Sequence, residues 1–500
     1  MSLATSYSRA AVGLRAPKVT VEVHLAPGIP RFSIVGMPEL AVRESRERVR
    51  AAIENAGFSF PQQAITAHLG PAELPKQGGR YDLAIAVGIL SAAGQLPEES
   101  LAGVEMLGEL SLSGELRAVN AVLPGALEVA RTGKALIVPS GNAAEAGLAG
   151  ELTVLSADTL LQVSAHLLGQ ELLQATPASS SVTTTADYPD LADVRGQQQA
   201  KRALEIAAAG GHNLLMVGPP GSGKSMLASR MPGILPTLTE PEALELASIN
   251  SLLGAELCLD NFYQRPFRAP HHTASAPALV GGGGVPRPGE ISRAHHGVLF
   301  LDELPEFSRH VLEVLREPME TGAVTISRAN YQADFPACFQ LIAASNPCPC
   351  GFHGDPDVLC RCTPAQIARY RARISGPLLD RIDMHLSVQR VSYQQLQSKA
   401  PAEASEQVAV RVQRAREKQM QRGTINARLE GAINLPCCAL DATGHTLMQR
   451  VVDQHQFSAR TIERILRVGR TIADLAGHQT IETSDLAEAI SLRCDLDKGA

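Results

Sequence analysis

The stretch Asn213–Met231, NLLMVGPPGSGKSMLASRM, constrains this chain more than any other. Leu214–Val217 is a short apolar run that predicts a buried parallel strand. It breaks into Gly218-Pro219-Pro220-Gly221-Ser222-Gly223-Lys224-Ser225, which fits the pattern G-x-x-x-x-G-K-[ST]. Glycines let backbone N–H groups curl around phosphate oxygens that a Cβ would hold off. The amphipathic helix expected next, with Met226, Leu227 and Met231 as its apolar positions, aims its partial positive charge at the same anion. Lys224 is the residue type that reaches the β- and γ-phosphates, and Ser225 the type that ligates Mg²⁺. Gly218 through Met226 are therefore the expected nucleotide-binding residues, with ATP and Mg²⁺ as cofactors.

Composition narrows what such a site can serve. Five hundred residues suggest about three domains. The net charge of −6 excludes a globally basic nucleic-acid binder, so any such contact has to come from local patches or a pore. Trp is absent and aromatics are 4%, so composition advertises no stacking platform for single strands. The chain shows neither a signal-peptide core nor a long apolar run, which predicts a cytoplasmic protein without membrane contact. Of nine cysteines, four fall within fifteen residues, a pattern that suits a metal site in a reducing compartment better than a disulfide framework.

Residues 1–172 are expected to form one α+β domain. Val21–Leu25, Phe32–Val35, Gln63–Leu69 and Ala135–Val138 read as strands, and Val42–Ala56, Leu83–Leu96 and Pro124–Arg131 as helices. Arg43–Arg50 reads as a solvated helix face. Leu74-Pro75-Lys76-Gln77-Gly78-Gly79-Arg80-Tyr81-Asp82 and Gly108–Leu116 together resemble the proteolytic domain of Lon proteases, of the ribosomal S5 domain 2 type. That family works through a Ser–Lys dyad. Where its Ser would fall this chain has Arg80 or Tyr81, and where its Lys would fall, Leu123. With neither nucleophile nor base, the resemblance implies a catalytically degenerate scaffold or binding module. Residues 173–188, Ser/Thr-rich over 174–187, read as a linker.

Residues 189–390 read as the ATPase core. Asp190–Gln197 and the helix Gln198–Ala209 lead into the phosphate loop, and Gly297–Leu301 is a second buried strand ending in Asp302 and Glu303. Asp302 there joins Ser225 in holding Mg²⁺, and Glu303 polarises the attacking water. Val311–Glu320 reads as a helix, Gly322–Phe335 as a β-hairpin with Arg328 near its tip, and Phe339–Ala344 as a third strand. The insertion 265–296 carries His271-His272, a Gly/Pro-rich run and His295-His296, which predicts a loop or hairpin. Adjacent histidines on an extended chain point to opposite faces, so pore-loop or interface roles are expected rather than a metal clamp. Cys348, Cys350, Cys360 and Cys362 form two C-x-C pairs with the composition of a tetrathiolate Zn²⁺ site, His353 being an alternative ligand. The spacing departs from the usual C-x₂₋₄-C, and four protein ligands would make the role structural.

The lead-in and strand pattern resemble the AAA+ superfamily. That resemblance implies sensor 1 at Asn346, an arginine supplied by a neighbouring subunit at Arg381 (Arg373 being the second choice) and sensor 2 at Arg460. It also implies a hairpin directed into a ring pore, with Arg328, Arg268 and Arg293 as DNA contacts. Residues 391–500 read as a helical lid. Its basic stretch Gln407–Arg422 is either DNA-facing or a solvated surface, and Ser458 is a candidate N-cap. RAPHHTAS, PGEISRAHHGVLFLDE and SGPLLDRID narrow the resemblance to magnesium-chelatase-like AAA+ proteins, and from end to end to the ComM/YifB family, whose Lon-like domain chelatase ATPase subunits are expected to lack. The resemblance implies a homo-hexameric ATP-hydrolysing DNA motor of the helicase or branch-migration type, promoting homologous recombination in natural transformation. Two alternatives stay open: a chelatase-type motor that remodels a protein partner for metal insertion, and an ATP-gated assembly platform.

Overall fold

The computed structural model describes residues 2–36, 40–177, 188–255, 259–284, 286–328, 331–393, 397 and 402–494. Most of the expected linker and the side chain of Arg328 lie outside the described residues. Among the described residues no helix is long and apolar enough to cross a membrane.

The structure is an α/β core with a helical lid, preceded by an α+β domain. The N-terminal domain is built on a four-stranded sheet of Ser2–Arg9, Lys18–Ala26, Arg31–Val35 and Ala64–Gly70. The third of these runs parallel to the fourth and the other pairings are antiparallel. The helix Asp82–Ala92 is buried along its whole length, which accounts for its unbroken apolar sequence. It stops short of the predicted Leu96 because Gly94 turns the chain at φ +74°. The start of the expected linker is no linker: Ala175 bridges to Leu155, and the Thr176 N–H donates to the Val154 carbonyl at 2.8 Å.

The ATPase core is a five-stranded parallel sheet. Numbered along the chain, its strands are Leu214–Val217, Phe267–Arg268, Val298–Leu301, Gln340–Ser345 and Met384–Ser387, and they lie side by side in the order second, third, fourth, first, fifth. Phe267–Arg268, in the insertion expected to be a loop or hairpin, is one of the two edge strands. Central strands alternate between two cores. Leu214, Met216, Val298, Phe300, Ile342 and Ala344 face the helix Gln198–Gly210 and the lid. Leu215, Leu299, Leu301, Leu341 and Ala343 face the helices and hairpin that follow the third strand. A parallel strand covered on both faces reads as a continuous apolar run, which is how these segments were legible. The helix after the phosphate loop is shorter than expected: Lys224–Ala228, followed by a 3₁₀ turn at Met231–Ile234 that contains Pro232. Leu227 and Met231 are buried as predicted, but Met226 is exposed. The predicted helix Val311–Glu320 is broken in two at Leu315, and the hairpin forms from Ala323–Arg328 and Tyr331–Pro336.

The lid consists of Ser405–Gln421, Ala442–His455, Ala459–Ala476 and Thr483–Cys494. Ser458 caps the third of these through the Thr461 N–H. Several cations of the basic stretch are paired within the chain, while Arg414 is exposed. Arg411 pairs with Glu205 and Glu403, Arg416 donates to the Ala208 carbonyl, and Arg422 pairs with Asp474.

The N-terminal domain is joined to the core by a small apolar cluster in which Leu123 and Leu148 pack on Leu238, Ala243, Leu246 and Phe262. Polar contacts frame it: the Ala121 N–H donates to the Ser251 carbonyl at 2.9 Å, and Glu145 accepts from Ser251 Oγ and from the Leu123 N–H. Leu123 is thus an interdomain contact. Arg80 is buried, its guanidinium donating to the carbonyl of Ala121 at 3.0 Å.

Asp474 is the polar centre of the lid. It is 1% exposed and accepts from Arg470, Arg422 and Asn426. Asp474→Ala leaves a buried guanidinium without its carboxylate, so the variant is expected to lose about 3–5 kcal/mol, read as a lower urea midpoint for the lid transition.

Candidate functional site

Parallel strands deliver their C-terminal ends to one edge of the sheet, where ligands of open α/β folds bind. The phosphate loop, Asp302–Glu303 and Asn346 all leave from this edge. Gly221 and Gly223 adopt φ of +77° and +89°, conformations that glycine takes at no steric cost. Gly218 is required for a different reason: a Cβ there would lie 2.1 Å from the Val388 carbonyl oxygen. Ser222 is buried. Lys224 Nζ donates to the carbonyls of Gly218 at 2.7 Å and Pro219 at 2.9 Å, and approaches Asn346 Oδ1 at 3.4 Å. Burial lowers its pKa from the usual lysine value, against the opposing pull of Asp302 and Glu303.

Ser225 Oγ donates to Asp302 Oδ2 at 2.6 Å. Two hard oxygen ligands from separate elements already meet, and this donor set fits a Mg²⁺ shell. The Glu303 N–H donates to Asp302 Oδ1 at 2.9 Å, and Glu303 itself sits at φ +52°. That turn leaves its carboxylate half exposed, with His272 Nδ1 3.6 Å away. His272 is the contact that sequence reasoning missed. Its RAPHHT motif marked it as unusual, but nothing linear ties it to a carboxylate some thirty residues on.

Arg381 and Arg460 lie at the other edge. Both line a cleft of ≈ 830 Å³ together with Asn213, Gly297, Gln340 and Asp383, residues at or just before the N-terminal ends of four core strands. Arg381 is held there by Glu320 and by the Pro377 carbonyl. Neither arginine therefore meets its own phosphate loop. Arg460, expected to sense the nucleotide, lines this cleft at the opposite edge from the phosphate loop. Arg373 stays on the phosphate-loop side, paired with Glu306 at 2.8 Å.

The remaining expected contacts are largely occupied within the chain. Arg268 and Arg293 share one carboxylate, that of Glu290, at 2.6 and 2.7 Å, so both brace the insertion and neither offers an unpaired charge to DNA. The histidine geometry also differs from expectation. His296 takes φ +56°, which folds its ring onto that of His295 with centroids 3.7 Å apart. Both Nε2 atoms meet Glu245 Oε2, at 2.9 and 2.8 Å. The Cys338 N–H donates to His295 Nδ1 at 3.0 Å, so the neutral ring carries its proton on Nε2 and has no lone pair there for a metal. Cys348, Cys350, Cys360 and Cys362 do come together, all four sulfurs within 4.8 Å of one another. Backbone N–H groups of Arg361 and Phe352 donate to the Cys350 sulfur and hold its thiol down at about 6.

A parallel five-stranded sheet with its first strand between the fourth and fifth, a phosphate loop after the first, an acidic pair after the third, an asparagine after the fourth and a helical lid defines the core of an AAA+ ATPase. The families described as "Magnesium chelatase, subunit ChlI" and "Magnesium chelatase, subunit ChlI C-terminal" match residues 190–396 and 402–493. "Subunit ChlI of Mg-chelatase" matches 21–142. Competence protein ComM of Haemophilus influenzae is 49% identical over 499 residues, covering 99% of this chain and 98% of that protein. YifB of Salmonella typhimurium is 48% identical over 496 residues, 99% of this chain and 97% of that one. The magnesium-chelatase 38 kDa subunit of Rhodobacter capsulatus is 26% identical over 188 residues, 34% of this chain and 53% of that protein. The chain belongs to the ComM/YifB family of magnesium-chelatase-like AAA+ ATPases.

The contact beneath the phosphate loop gives a direct test. Gly218→Ala must displace the Val388 carbonyl, an overpacking cost of about 1–3 kcal/mol. We expect unchanged far-UV circular dichroism and an ATP-analogue Kd raised by about 5- to 150-fold, measured by fluorescence titration.

Proposed function

We propose that this protein is an ATP-driven motor that moves DNA strands as a ring of identical subunits, with six as the expected number. The observation that carries the reading is the division of the catalytic set between opposite edges of one sheet. Lys224, Ser225, Asp302, Glu303 and Asn346 gather at one edge while Arg381 and Arg460 line the other, so the set is completed by the next copy in a ring. The phosphate loop holds the nucleotide, Ser225 and Asp302 hold Mg²⁺, and the metal when bound neutralises charge on the phosphate oxygens. Glu303 accepts the proton of the attacking water, Asn346 orients that water beside Lys224, and Arg381 of the neighbour stabilises charge in the transition state. The near-full-length likeness to a competence protein supports DNA as the track, with the hairpin Ala323–Pro336 carrying Arg328 toward the pore.

The chelatase reading keeps one observation in its favour, the family descriptions along the chain. ATPase assays with single-stranded, duplex and forked DNA separate the two. Stimulation by forked or single-stranded DNA is expected, and indifference to all three would favour remodelling of a protein partner.

Glu303→Gln is expected to bind ATP normally and to lose about 10²–10⁴-fold in turnover. Subunit sharing predicts a complementation result. Lys224→Ala and Arg381→Ala chains, each inactive alone, should recover part of the wild-type ATPase rate when mixed, because some interfaces then combine an intact loop with an intact arginine.

A further inference from the structure

The function above leaves the cysteine cluster unused. Residues 347–362 contain no helix or strand, and such a stretch inside a compact domain calls for something to order it. Cys348 Sγ lies 3.4 Å from Cys350 Sγ and 3.7 Å from Cys360 Sγ, and Cys350 and Cys360 are 3.6 Å apart. These separations are far too long for disulfides, whose S–S bond is about 2.0 Å. They match a tetrahedral metal with sulfur ligands at about 2.3 Å, which sets S···S near 3.8 Å. The Cys362 N–H also donates to Cys360 Sγ at 3.4 Å, so backbone donors serve sulfurs on both arms of the loop.

The position of the loop gives the site a consequence. It begins at Pro347, immediately after Asn346, and touches the phosphate loop at Pro220. Gly351, at φ +86°, lies so close to Pro220 that a Cβ would sit 2.6 Å from its Cδ. We propose that Cys348, Cys350, Cys360 and Cys362 hold one structural Zn²⁺, and that this metal braces Gly351 against the phosphate loop and fixes Asn346 beside Lys224. The metal half stands on the sulfur geometry alone, while the bracing half rests on the nucleotide reading of the phosphate loop.

The test uses the purified full-length chain. Elemental analysis should find one zinc per chain, and modification of the thiols with a mercurial should release it to a chromogenic zinc indicator. Replacement by Co²⁺ should give the charge-transfer and ligand-field spectrum of a tetrahedral four-sulfur site, lost in the Cys360→Ser/Cys362→Ser variant. A chain from zinc-supplemented growth that carries no zinc and takes up no Co²⁺, or that carries iron instead, overturns the metal. Gly351→Ala leaves every ligand in place. It should keep its zinc yet bind a fluorescent ATP analogue about tenfold more weakly, because the new Cβ pushes Pro220 and the phosphate loop out of the binding conformation. Wild-type affinity in that variant overturns the bracing role. Failure of the wild-type chain to bind the analogue overturns the nucleotide reading and the bracing with it, while zinc content still decides the metal.

Discussion

Everything chemical in this molecule depends on five strands running the same way. A parallel sheet separates its chain exits from its chain entries, so residues that follow strands gather at one edge and residues that precede them at the other. The first group is Lys224, Asp302, Glu303 and Asn346. The second borders the arginine-lined cleft. The two edges are separated by the length of the strands, about 13 Å for four residues, and no side-chain rotamer crosses that distance through a packed core. The division of these residues between two edges therefore follows from strand direction before any interface is considered.

The nucleotide edge was legible because its signals are local. A glycine-rich loop between an apolar strand and a helix, and an acidic pair at the end of an apolar run, each carry their meaning within about ten residues. The alternation of Leu214 and Met216 against Leu215 between two cores is likewise a property of one strand covered on both sides. Contacts made through unusual backbone or long-range packing were not legible. His296 meets His295 through a positive φ, which an extended-chain argument excludes. His272 reaches Glu303, and Val388 lies beneath Gly218, only after the sheet has assembled. The basic lid helix failed for a related reason. Charge composition shows that cations are present, and only the fold reveals that Glu205, Glu403, Asp474 and the Ala208 carbonyl receive them.

The arginines divide into two kinds. Arg268 and Arg293 close on Glu290, and Arg470 on Asp474 and nearby carbonyls, so their charge is absorbed in holding an insertion or a helix. Arg381 and Arg460 instead border an open cleft. Resemblance named candidates of both kinds alike. Position rather than pairing separates the two kinds, since Arg381 is itself paired with Glu320.

The junction at Leu123 limits what this position can carry. The residue that the protease resemblance aligns with a catalytic lysine is wholly buried and packed on the ATPase core. An ammonium group placed there would have to be desolvated inside an apolar seam, at a cost of several kcal/mol. Placing a lysine here would thus begin by prising the two domains apart. The position that resemblance set beside a catalytic base instead serves as a mechanical coupling between them.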